Sequence, residues 1–134
     1  MTRYLLDTDT CIFFFRKKYD IRDKIAAAGQ GGCFVSEITL AELFVGMYKS
    51  GQLEKRQQEL VNLLSLMSVV PIREALPTYG RERARLEKLG TPVADFDLLI
   101  AVSAVYHDMV LVTNNTKHHT RVADLRLESW VQPV

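Results

Sequence analysis

Two patterns of apolar positions alternate along this chain. Short apolar runs, each closed by a polar or turn-forming residue, are separated by longer stretches whose apolar residues recur every three or four positions. Tyr4-Leu5-Leu6 is the first short run; it reads as a buried strand and stops at Asp7. Asp9 or Thr10 reads as the cap of a helix over Cys11–Lys18, and Asp20–Ala28 as a second helix ended by Gly29. A turn at Gly29–Gly32 leads into a second strand, Cys33-Phe34-Val35, which ends at Ser36. Thr39-Leu40-Ala41-Glu42 then has the spacing of a capping box, with Leu40, Leu43, Phe44 and Met47 on one helical face behind it. Gly51 breaks that helix. Leu53–Met67 is amphipathic, Ser68–Ile72 reads as a third strand, and Glu74–Leu89 as a long helix closed by Gly90. Asp97–His107 is a strongly apolar helix, Met109–Thr113 a fourth strand, and Leu125–Glu128 a short fifth.

Strands separated by helices predict an α/β protein: a central parallel sheet of four to five strands between two helical layers, in a single domain over residues 1–134. In such a sheet, ligands bind beyond the carboxyl ends of the strands. Asp7 and Thr113 both fall at strand ends of that kind.

Composition narrows the reading only a little. With 134 residues, 48% of them hydrophobic, the chain is long enough for one real core. The formal charge of +1 excludes a polybasic tail and leaves a local basic patch for nucleic acid open. No apolar run approaches membrane-spanning length, and Asp7 and Asp9 interrupt the one stretch that resembles a secretory leader. Cys11 and Cys33 lie in segments that read as core, which predicts buried free thiols in a reducing cytoplasm.

The acids carry the chemistry. Singly, each has a bland explanation. Asp7 suits an Asx turn, Asp9 a helix cap, Glu42 a capping box, and Asp95 and Asp97 the positive end of a helix dipole. Together, Asp7, Glu42 and Asp97 each stand at a strand end or helix start, among apolar residues, where a parallel sheet gathers its site. Crowded carboxylates repel and lose solvation, and a hard divalent cation relieves both effects. Mg²⁺ or Mn²⁺ there can lower the pKa of a water and stabilise charge on a phosphodiester. Thr113 is placed to orient Asp7, and Asn115 to reach a water near the ion. Lys17, Arg83 and Lys117 are candidates for holding a phosphate backbone. Arg81, Arg85 and Lys88 share a helical face that is either solvated or a phosphate track. His118 and His119 are adjacent, so their rings point apart and do not suggest a zinc site.

These stretches resemble the PIN-domain family, and within it the VapC-type toxins of bacterial toxin–antitoxin pairs. "YLLDTDTCIFF" resembles the family's opening strand with its first acid, and "SEITLAELFVG" the segment with its glutamate. "LGTPVADFDLLIA" resembles the segment with its third acid, and "LVTNNTKHHTRVADLRLESW" the closing strand, loop and terminal strand. The resemblance implies a PIN-like α/β/α fold and an endoribonuclease dependent on Mg²⁺ or Mn²⁺. It implies Asp7, Glu42 and Asp97 as the catalytic and metal-binding acids, with Thr113, Asn115 and Asp9 in support. It further implies an RNA substrate, a VapB-type antitoxin partner, a homodimer and a toxin–antitoxin hetero-oligomer. Asn115 stands where many members have a fourth aspartate, which leaves a second metal ion less well held.

Other families share parts of the pattern. A non-toxin PIN-fold protein that processes or binds RNA fits the same segments. "LLDTDTC" resembles the opening of haloacid-dehalogenase-type phosphatases, but such an enzyme needs a lysine and a further acid-tipped strand after Thr113, and too little chain remains. A receiver domain needs a lysine directly after a late strand, and Lys117 lies too far out.

Overall fold

Leu5 and Leu6 are both fully buried, yet they face opposite ways. Side chains alternate across a strand, so Leu5 enters one apolar cluster and Leu6 the other. The same alternation places Leu111 in the cluster of Leu5 and Val112 in that of Leu6. A sheet covered on both faces follows from these pairs. The structure is a computed structural model that describes residues 1–131, excluding the side chain of His118.

Five parallel strands make the sheet: β1 (Tyr4–Leu6), β2 (Cys33–Ser36), β3 (Ser68–Val70), β4 (Val110–Val112) and β5 (Leu127–Glu128), in the order β3-β2-β1-β4-β5. The central strand β1 pairs Tyr4 with Cys33 on one side and with Val110 on the other. On one face lie α1 (Thr8–Phe15), α2 (Ile21–Ala28), α3 (Glu37–Lys49) and α4 (Leu53–Leu66), which bury Phe14, Ile25, Leu43 and Leu63. On the other lie α5 (Leu76–Lys88) and α6 (Asp95–Tyr106), which bury Leu86, Leu98 and Val102. A four-residue helix, α7 (Thr116–His119), follows β4. This is the expected three-layer architecture, and Cys11 and Cys33 are buried free thiols.

Several boundaries differ from the sequence reading, each for a local reason. The first helix starts at Thr8 and not at Cys11, because Asp7 is its N-cap and accepts from the Thr8 amide at 2.7 Å. Helix α3 starts at Glu37, capped by the Ser36 hydroxyl, which accepts from the Ile38 amide at 3.0 Å. Thr39 therefore lies inside the helix, and the capping box with Glu42 does not form. Strand β3 stops before Pro71, which has no amide to donate to a ladder, and a 3-10 turn at Arg73–Ala75 precedes α5. Helix α6 begins at Asp95 and so has both Asp95 and Asp97 in its first turn. Gly32 is required by a close approach: a Cβ there would lie 2.5 Å from the Ala28 carbonyl oxygen. The Gly32 carbonyl accepts from the Tyr4 amide at 2.8 Å and so ties the end of α2 to β1.

The Arg85 side chain is exposed, and it is engaged within the protein. Its guanidinium grips buried Glu82 through two bonds of 2.7 Å, and its Nη2 also donates to the Arg121 carbonyl at 2.9 Å. Glu82 accepts in addition from the Ala123 amide at 2.6 Å, so one carboxylate fastens α5 to the segment after α7. The bonds from Arg85 hold the Glu82 carboxyl below the usual carboxylate range, and the Ala123 amide adds to this. A depressed pKa contributes stability above the unfolded value that is lost as pH falls through the folded one. Replacing Glu82 with Ala removes the acceptor of a part-buried amide and of an exposed guanidinium, and it is expected to cost about 1 kcal/mol at neutral pH. Urea unfolding of both proteins checks this: the difference should be full near pH 7 and shrink in acid. A difference that is absent at pH 7 would show that the clamp contributes nothing.

Candidate active site

Asp7 ends β1 and begins α1. Its amide donates to the Val112 carbonyl at 2.9 Å, the last bond of the β1–β4 ladder, and its carbonyl accepts from the Cys11 amide at 3.2 Å. One carboxylate oxygen caps α1. The other accepts from the Thr113 hydroxyl at 2.9 Å. Thr113 leaves β4 beside Asp7, and its oxygen accepts from the Asn115 amide at 3.1 Å. With that lone pair engaged, the Thr113 proton is directed at Asp7. The Asn115 carbonyl in turn accepts from His119 Nδ1 at 2.7 Å, which places the ring proton on that nitrogen.

A second chain of contacts leads to Glu42. The Thr8 hydroxyl lies 2.6 Å from Glu42 Oε1 and 3.2 Å from the Thr39 hydroxyl. Thr8 thus links the first turn of α1 to the middle of α3. Asp9 accepts from the Thr10 amide at 2.7 Å and from the Asn114 amide at 3.0 Å, so it ties α1 to the loop after β4. It does not cap the helix.

Asp97 lies half-buried in the first turn of α6, a helix that packs against α3. The three acids are not drawn into a closed cage: among the described residues, no group of three His, Cys, Asp or Glu side chains is gathered closely enough to hold a metal ion. Glu42 is turned to the Thr8 hydroxyl, and carboxylates without a cation between them repel. The donor set still fits a hard divalent ion, because Asp7, Glu42 and Asp97 offer only oxygen. Asp7 shows the pressure such an ion would relieve. Burial pushes its carboxyl up to about 6, and the charge of Asp9 adds to this, against the opposing bonds from Thr113 and the Thr8 amide and the influence of His119.

The basic candidates are dispersed. Lys17 is exposed in the left-handed turn that follows α1, and Lys117 is exposed in α7. Arg83 is engaged by Glu87 at 3.1 Å, Asp95 at 3.4 Å and the Tyr79 hydroxyl at 3.2 Å. The sequence reading overlooked Thr8, Arg16 and Arg56, of which the two arginines flank Glu42 in a surface groove, and it gave Thr39 a capping role in place of its contact with Thr8. A signal for Thr8 was present, since it follows a strand-ending acid directly; His119, fully buried, carried none.

A raised carboxyl pKa contributes stability below the unfolded value, near 4, that is lost as pH rises through about 6. Ionised Asp7 therefore destabilises the metal-free protein at neutral pH. Asp7→Asn removes that charge while its amide oxygen can still cap α1. The variant is expected to be more stable than the parent by on the order of 1–3 kcal/mol above pH 7, in the presence of chelator, and equal to it near pH 4. Thermal unfolding against pH measures this; a variant no more stable at pH 7.5 would contradict the strained carboxylate.

Comparison with known proteins bears on the family and the fold. Residues 4–125 match the PIN domain family. The tRNA(fMet)-specific endonuclease VapC of Shigella flexneri is 36% identical over 132 residues, which is 97% of this chain and 99% of the relative. Among solved structures, VapBC2 from Rickettsia felis bound to a promoter DNA fragment superimposes with a TM-score of 0.90 at 32% identity, covering 96% of this chain and 99% of that one. DNA-bound VapBC from Salmonella typhimurium gives a TM-score of 0.90 at 34% identity, with 97% and 99% covered. An acid-lined carboxyl edge on a five-stranded parallel sheet, matched over nearly its whole length, makes this chain a member of the PIN-domain family, among the VapC-type ribonucleases.

Proposed function

We propose that this chain is the toxin of a toxin–antitoxin pair, a Mg²⁺- or Mn²⁺-dependent endoribonuclease that acts in the cytoplasm. One observation carries the reading: Asp7 is a buried carboxylate at the sheet's carboxyl edge, held by two donors although burial and Asp9 oppose its charge. Asp7, Glu42 and Asp97 are the residues that would hold the ion. When bound, such an ion supplies a water of lowered pKa and stabilisation of charge on a phosphodiester. The chain's own groups supply position. Thr113 and the Thr8 amide set the plane of the Asp7 carboxylate, Thr8 steadies Glu42, and Asp9 keeps the Asn114–Asn115 loop against α1. Asn115 contributes an amide without charge, so a second ion would bind with less compensation. Transfer RNA is the first substrate to test, because the Shigella relative is named for it. No helix among the described residues is long and apolar enough to cross a membrane.

Asp7→Asn is expected to lose cleavage by about 100-fold or more, since a neutral amide is a poor ligand for a hard cation. Chelator should abolish cleavage by the parent, and Mn²⁺ should restore it. Cleavage of transfer RNA at equal rates by both proteins would sink the assignment of Asp7.

The partner reading rests on a surface and on the relatives. Phe44, Val45 and Tyr48 are exposed together on α3, at 40%, 57% and 71%. Such a patch fits pairing with a second copy. A VapB-type antitoxin is the expected heterologous partner, as in the VapBC complexes. Light scattering should give the mass of a dimer for the chain alone and of a hetero-oligomer after co-expression with the neighbouring reading frame. A monomer in both preparations would overturn this reading.

A further inference from the structure

His119 is fully buried, in a helix too short to hold itself. α7 has four residues, and its N-cap, Asn115, makes no side-chain bond to the helix amides. A single turn of helix needs support from outside. α7 packs against α6, which carries Asp97, and against β5. An apolar side chain would suit such a place, because burying an imidazole costs it the solvation of both ring nitrogens. Nδ1 recovers a partner: it lies 2.7 Å from the Asn115 carbonyl oxygen, which can only accept, so Nδ1 carries the proton. Nε2 is buried without a hydrogen-bond partner. The ring thus gives up solvation at one nitrogen to make a single bond with the other.

That bond begins a line that ends on an acid. Asn115 presents its carbonyl to the His119 ring and donates its amide to the Thr113 hydroxyl oxygen at 3.1 Å. Thr113 donates its one hydroxyl proton to Asp7 Oδ2 at 2.9 Å. A hydroxyl is free to rotate, and what keeps this proton on Asp7 is the Asn115 amide on the Thr113 oxygen. Asn115 is itself exposed, so the ring holds its peptide from the buried side. We propose that His119 is a positioning residue of the nuclease site: through the Asn115 peptide and Thr113 it fixes the Asp7 carboxylate, and so it sets turnover without touching the substrate. The proposal rests on the ribonuclease reading and adds to it a residue that acts only through others.

The test uses the purified full chain, the variants His119→Phe and His119→Asn, and an RNA that the parent cuts with Mn²⁺. Phenylalanine fills the space and donates nothing, whereas the asparagine amide can donate from near the place of Nδ1. His119→Phe is expected to lose about 10-fold in kcat at unchanged KM, the scale of one hydrogen bond, and His119→Asn to recover most of the loss. Two further measurements need neither metal nor RNA. Nitrogen NMR of the parent should show the His119 proton on Nδ1. Hydrogen exchange at the Asn115 amide should be about 10-fold faster in His119→Phe and near the parent rate in His119→Asn, with the amides of β1 and β4 unchanged. A proton on Nε2 in the parent overturns the proposal without recourse to any variant, and leaves the ribonuclease reading standing. So does a His119→Phe variant that keeps the parent's kcat, or whose loss lies in KM alone. Equal losses in both variants, with β1 and β4 amides also exchanging faster, overturn it too and make His119 a packing residue. A parent that cuts no RNA overturns the ribonuclease reading, and the proposal with it.

Discussion

The constraint on which this structure turns is the placing of a carboxylate where a buried strand gives way to a helix. Asp7 closes the β1–β4 ladder with its amide, opens α1 with its carbonyl, caps α1 with one carboxylate oxygen and takes the Thr113 hydroxyl on the other. No apolar residue could do this, because the first amides of a helix need an acceptor. The stability of the turn and the poise of the site thus depend on the same oxygen atoms. Burial raises the proton affinity of that carboxylate, and its two donors only partly offset the effect. The site is therefore under electrostatic strain that a cation would relieve.

Threonine is the residue that transmits this arrangement. Thr113 directly follows β4 and Thr8 opens α1 two residues after β1, and each uses a hydroxyl to fix an acid on another element. A hydroxyl can donate to a carboxylate without adding charge, so it orients Asp7 and Glu42 without neutralising them. Arginine or lysine in those places would pair with the acids and displace an ion. No arginine or lysine takes either place; Arg16 and Arg56 line a groove with Glu42, Lys17 is exposed on the turn after α1 and Lys117 is exposed in α7.

The groove beside Glu42 and the exposed face of α3 come from one helix with two different sides. Leu43 and Met47 point to the α1–α4 side and help floor the groove, while Phe44, Val45 and Tyr48 face outward. Helical geometry separates these sets by about 100° per residue, so a single run, Leu43-Phe44-Val45-Gly46-Met47-Tyr48, serves the core, the groove and the surface. The helix is consequently too apolar overall for one amphipathic stripe to describe it.

Periodicity alone determined the succession of strands and helices along the chain and the parallel sheet. Those properties follow from which residues are apolar and at what spacing, and Leu5-Leu6, Cys33-Phe34-Val35 and Val110-Leu111-Val112 are legible without any partner. Asp7, Glu42 and Asp97 stood out as a set because acids among apolar residues near strand ends and helix starts are local signals; the structure puts Asp7 and Asp97 at such places and Glu42 in the middle of α3, and draws no three such acids together among the described residues. Tertiary structure decided the rest. It made Asp7 and not Asp9 the cap, gave the α3 cap to Ser36, and turned Glu42 from an imagined capping box toward Thr8, 34 positions away in the chain. It also assigned Arg85 to Glu82 and Arg83 to Asp95 and Glu87, and assembled a groove from three helices. The physical reason is the range of the forces involved. Burial and backbone preference act on a residue through its near neighbours in sequence, whereas a side-chain hydrogen bond or ion pair forms with whichever group the packed sheet brings within about 3 Å.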